Sequence, residues 1–153
     1  MALPAAYQAL ARSLRDALLA AGVLASPTAF EVDPLTGVEP SETSDTISAV
    51  AGLIGLETTS EIRFLGSPRR YVVERLARLE LAISGPSPEA RLAVVTRAMA
   101  SAAMLTERDP TLGGLCERLE IPSLEDEDWP PNGQKILITF LLRVRSGDAL
   151  GMT

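Results

Sequence analysis

The chain of 153 residues contains no histidine, which removes both the commonest general base and the commonest metal ligand. Ser-His-Asp and Cys-His pairings are thereby excluded. Cys116 is the single cysteine, and it would need some other activating group to act as a nucleophile. Its neighbours Leu115 and Leu119 suggest a short amphipathic turn, where a small buried thiol is expected. A small acyl-transferase-like enzyme using Cys116 or a carboxylate is the enzymatic alternative. The run Glu125-Asp126-Glu127-Asp128 offers carboxylates for Ca²⁺, but it lacks the spaced ligands and central glycine of a calcium loop and reads as solvated loop. Gly113-Gly114 sits in neither dinucleotide-binding nor Walker spacing and reads as a chain turn. No residue is therefore assigned a catalytic, cofactor-binding or metal-ligating role, and no cofactor is expected.

Arginines offer chemistry of another kind. Arg63, Arg69, Arg70, Arg75 and Arg78 gather in one stretch beside Phe64-Leu65. One reading is a basic contact surface for an acidic partner or passing DNA. The other is an ordinary strand face on which Arg and Glu pair with each other. Arg63, Phe64, Leu65, Arg69, Arg70 and Arg75 are the candidate partner-contact residues on the first reading. The formal charge of −6 and pI near 4.7 argue against a nucleic-acid binder, because neutralising phosphates needs basic residues in excess.

The elements that must position these residues follow from periodicity. Leu3, Tyr7, Leu10, Leu14, Leu18 and Ala21 recur at three- and four-residue spacings and predict a first helix, with Pro4 in its first turn and Gly22 at its C-terminal cap. Residues 26–45 carry Pro27, Pro34 and Pro40 and read as a long loop, either mobile or used for a partner, unless a short strand forms around Phe30. The apolar run Thr46–Glu57 holds two glycines and favours a strand. Alternation from Tyr71 to Ile83 predicts another, so the two form a hairpin with an extended tip over Thr58–Pro68. Arg75 falls on the apolar side of that alternation, which implies a face left unburied near the tip.

Ser87 and Pro88 predict the N-cap and first residue of a second helix. Its stripe is Leu92, Val95, Met99, Ala102 and Leu105, and it ends near Arg108. The connector that follows, with its acidic segment at about 120–133, reads mostly as loop. Lys135–Arg145 alternates again and predicts a last strand. The expectation is one α+β domain over 1–153, a mainly antiparallel sheet with a long hairpin, and two helices covering one face.

At 46% apolar and 22% charged the composition is that of a globular chain. Aromatics are only 4%, so the core must rest on Ala, Leu, Val and Ile. A lone cysteine gives no internal disulfide. Arg12, Arg15 and Asp16 interrupt the N-terminal apolar stretch, so neither a secretory leader nor a membrane span is expected.

The phrase Glu107-Arg108-Asp109-Pro110-Thr111-Leu112-Gly113-Gly114-Leu115, and less specifically Ser146-Gly147-Asp148-Ala149-Leu150-Gly151, resembles segments of the tail terminator, or tail completion, proteins of long-tailed bacteriophages and gene-transfer particles. The order helix, loop, two long strands with a projecting hairpin, helix, strand is similar to that family across most of the chain. The long Pro-rich loop and the acidic segment depart from its pattern, so contacts there do not carry over. The resemblance implies a virion structural protein at the head-proximal end of the tail, assembled in the host cytoplasm. It implies a monomer that becomes a hexameric ring on the tail tube, stops tube polymerisation and meets the head-tail connector or stopper, with DNA passing through the lumen without sequence-specific binding. The alternative within virion proteins is another neck component, an adaptor or stopper.

Overall fold

Apolar residues spaced four apart, Ala6, Leu10, Leu14 and Leu18, are each at most 1% exposed and turn helix α1 (Ala2–Ala20) toward the core. The computed structural model describes residues 2–41, 45–56, 62–64 and 71–145. A single 3-10 turn, Pro27–Ala29, leads from α1 into strand β1 (Phe30–Val32). There follow β2 (Ser48–Gly55), β3 (Ile62–Phe64), β4 (Tyr71–Ser84), helix α2 (Pro88–Arg108), β5 (Arg118–Trp129) and β6 (Gly133–Arg145).

The six strands form one sheet in the order β1-β2-β4-β6-β5, with β3 pairing with β4 off this path. Every pair is antiparallel except β1 with β2, so the α+β fold has a mixed sheet. Alternation places Ala77, Leu79, Leu81 and Ile83 of β4 beside Phe140, Ile138 and Ile136 of β6 on the face under both helices. Phe140 is the only aromatic ring among the largest fully buried side chains described. The core is therefore stabilised by many aliphatic side chains, each worth roughly 1.5–3 kcal/mol, rather than by a few large rings.

Ser87 caps α2, its Oγ accepting from the Ala90 N–H at 3.2 Å, and Pro88 follows it. The inward face of α2, however, is Val94, Val95, Ala98 and Ala102. Leu92 and Met99, expected inside, are 61% and 36% exposed. Alanine occurs all round this helix, so the periodic contrast is weak and two stripes one residue apart compete. Packing selects the one whose alanines let α2 approach α1 and the sheet closely.

One loop assignment is corrected, and the other is shortened by the strand around Phe30. The connector with the acidic segment contains the 12-residue strand β5. Its pairing shifts between Glu120 and Ser123, where Ile121 and Pro122 oppose one residue of β6. This is a bulge that both accommodates a proline at a sheet edge and breaks the alternation. The Pro-rich loop contains β1, and beyond it the chain packs back on the sheet. It straps the helix-free face of the sheet, burying Val38 and Pro40, while the Ser41 N–H donates to Ser84 Oγ at 2.6 Å. Gly52 gives it room, since a Cβ there would lie 2.9 Å from Pro34 Cγ and 3.2 Å from Val38 Cγ1.

Candidate interaction surfaces

Of the candidate contact residues, Arg63 and Phe64 lie on β3 and Arg75 on β4, which pair. Backbone register sets Arg63 opposite Val72 and Phe64 opposite Tyr71; Leu65, Arg69 and Arg70 lie outside the described residues. Arg75 shares the helix-side face with Ala77 and Leu79 but is exposed, as its place in the alternation implied. The structure thus puts Arg63, Phe64 and Arg75 along one hairpin.

The neighbouring arginine Arg78 behaves otherwise. It lies two residues from Glu80 on the helix-free face, and its Nη2 and Nε donate to Glu80 Oε2 at 2.7 and 3.1 Å. Lys135 Nζ approaches Glu80 Oε1 at 2.8 Å. That oxygen accepts no other hydrogen bond, so the ammonium is what holds it. Glu80 is buried at 3% exposure because the strap passes over it at Gly37. The positive φ of +74° and the closeness of Glu80 Oε1, 2.8 Å from where a Cβ would stand, both require glycine at that position. Burial raises the Glu80 carboxyl, but the hydrogen bonds and charges of Lys135 and Arg78 outweigh it and hold it below the ordinary range. Lys135 also stands 5.7 Å from the Trp129 ring centre, a cation–π contact. Farther along this face Arg143 bridges Glu74 at 2.9 Å and Glu120 at 3.3 Å, and Arg118 joins Glu120 at 3.2 Å. For Arg78 and Arg143, then, charge is used within the sheet.

The chain matches no protein-family model, and no curated protein matches it in sequence.

Residues 109–116 have a structural job. Asp109 Oδ1 accepts from the Gly113 N–H at 2.9 Å, and Thr111 Oγ1 from Gly114 at 3.2 Å. The turn so closed drives Leu112, at φ +48°, into the core at 3% exposure. Cys116 follows it inside, with its Sγ 3.7 Å from the Pro110 carbonyl oxygen. Burial, assisted by the charge of Asp109, pushes its thiol up to about 11, so the thiolate that would attack a substrate is scarce near neutrality. Among the described residues no group of three or more His, Cys, Asp or Glu is placed to hold a metal ion.

Sequence reasoning allowed the short strand around Phe30, but missed β5 and the place of both as the open edges of the sheet. At one, β5 presents Glu125, Asp126, Glu127 and Asp128 to solvent. At the other, β1 borders a cleft of about 420 Å³ between the outer side of α1 and the strand, with Arg12, Arg15 and Gln8 above and Pro27, Phe30 and Val32 below. Tyr7 fixes the geometry there. Its hydroxyl lies 2.8 Å from Asp33 Oδ1 and 2.9 Å from the Leu53 carbonyl, and burial together with the Asp33 carboxylate raises its pKa. The signal for the acidic edge was present as Asn132-Gly133 just after Trp129, a strong hairpin mark.

Proposed function

We propose that this chain is a virion structural protein of the tail-terminator kind, which caps the tail tube as a ring, ends tube polymerisation and forms the joint to the head connector. The observation that supports the reading is the order of elements: α1, a Pro-rich segment with the short β1, the long strands β2 and β4 with β3 paired to β4 between them, α2, and then β6, with β5 as an addition before it. The phrase Glu107–Leu115 spans the end of α2, which agrees with the position that the resemblance implies. A ring subunit needs a rigid wedge, side surfaces able to meet neighbours, and no reaction centre. Helices on one face, a strap on the other and two open edges suit those demands. On this reading the hairpin bearing Arg63, Phe64 and Arg75 docks on a partner in the tail or neck.

Electron microscopy of phage particles made without the protein tests it. Overlong tails lacking heads are expected. Tails of normal length beside tailless or leaking heads would reassign the protein to the neck, as an adaptor or stopper, and unchanged infectious particles would overturn both.

A further inference from the structure

The sheet ends in two unlike edges, and the residue rows that cross it say how they relate. One row runs Val32, Leu53, Leu79, Ile138, Leu124, and the next runs Phe30, Ala51, Leu81, Ile136, Asp126. All ten positions lie on the helix side, because cross-strand partners share a face. The outermost members are exposed apolar residues in the first row, Val32 at 51% and Leu124 at 43%. In the second, Asp126 stands at one end, and at the other is Phe30 in the floor of the Arg12 and Arg15 cleft. The strands alternate so that β5 runs opposite to β1.

We propose that copies of this chain join head to tail by continuing the sheet, the β5 edge of one copy pairing antiparallel with the β1 edge of the next. Carrying the rows across the junction sets Leu124 against Val32. It also brings Asp126 to the mouth of the cleft beneath Arg12 and Arg15, so apolar meets apolar and carboxylate meets guanidinium. Acidic residues along β5 repel a second β5, which blocks the symmetric edge-to-edge dimer, while the unlike pairing is heterologous and closes into a ring when the rotation per copy allows. One contact opposes the junction. On the other face Glu31 lies in the row of Gly52, Glu80, Leu137 and Glu125, so Glu31 of one copy meets Glu125 of the next. This inference rests on the ring reading for its biological use, but it concerns the self-contact alone.

The test uses full-length chains carrying Val32→Cys or Leu124→Cys. Both sites are exposed, and Cys116 is buried at 6% and does not compete. Facing positions of an antiparallel pair bring Cβ atoms about 4.5–5.5 Å apart, close enough for a disulfide after slight adjustment. Oxidising an equimolar mixture at high protein concentration should give the mixed dimer in roughly tenfold excess over either homodimer, as expected for an effective local concentration. A chain with both cysteines should give a ladder ending in one closed species. Glu31→Lys should raise the mixed yield, and Arg12→Glu with Arg15→Glu should lower it. Homodimers forming as readily as the mixed dimer, or a yield that Glu31→Lys depresses, would overturn the proposal. Overlong tails without the protein but no mixed disulfide would leave the terminator reading and sink this junction; the converse pair of results would do the opposite.

Discussion

Replacing Lys135 by Met tests whether the strapped face is held by charge. The Glu80 side chain is 4% exposed and that of Lys135 13%, at an N–O distance of 2.8 Å, so the pair is not of the solvent-exposed kind worth at most about 1 kcal/mol. Removing one partner of a buried pair costs about 3–5 kcal/mol because the other charge is left without compensation. Arg78 still covers Oε2, which places Lys135→Met at the low end, about 3 kcal/mol. For a chain of this length that corresponds to a fall in Tm of about 6–12 °C. Urea unfolding followed by circular dichroism at neutral pH measures it. Glu80→Leu with Lys135→Met should recover part of the loss, since no buried carboxylate is left uncompensated and Arg78, whose side chain is 35% exposed, can turn its guanidinium to water. A single variant within about 1 kcal/mol of the parent, or a double variant no better than the single, would refute the reasoning.

The same carboxyl predicts the acid limb. Its folded pKa lies below the unfolded one, so its contribution is complete above the ordinary carboxyl range and is lost as pH falls through the folded value; the penalty of Lys135→Met should shrink over that window in urea titrations. Gly37→Ala should cost about 1–2 kcal/mol from the left-handed backbone alone, and more from the approach to Glu80, as read by thermal melts. Cys116→Ser should fold, support particle assembly and lose about 1 kcal/mol, while the native thiol should react slowly with a disulfide reagent at pH 8; loss of assembly with folding intact would count against a purely structural thiol. Deleting Thr59–Ser67 should leave the domain folded but unable to dock, scored by complementation of particles lacking the protein.

Strands with one buried face were legible before the structure: β4 and β6 show apolar residues at every second position, β2 shows as an apolar run whose two glycines disfavour a helix, and both helices announce themselves through Pro4, Gly22, Ser87 and Pro88. An edge strand has no such contrast. Along β5 the charged side chains face solvent on both sides, and the bulge at Ile121–Pro122 shifts the phase, so composition spoke for loop. Proline content correctly denied regular structure to residues 33–41, but it could not tell where the loop goes. Gly37 and Gly52 mark its path only once register places Glu80 and Gly52 beneath it. Among the arginines, the pairing of Arg78 with Glu80 follows from their spacing within one strand, whereas that of Arg143 with Glu74 needed the β4–β6 alignment. The cleft at Arg12 and Arg15 depends on where α1 lies over β1, which no local pattern encodes.

The strap also implies an order of events. Ser41 is tied to Ser84, 43 residues later in the chain, and Pro40 lies where it would crowd any side chain at Gly133, so the far end of the strap rests on β4 and β6 while its start rests on the nearby Gly52. Its seat does not exist until β4 and β6 have aligned, and closing such distant contacts is a late and slow event. Residues 33–41 should accordingly settle after the sheet and exchange their amide hydrogens before it does. With the strap lifted, Glu80 and Lys135 would face water while the helix side stayed packed.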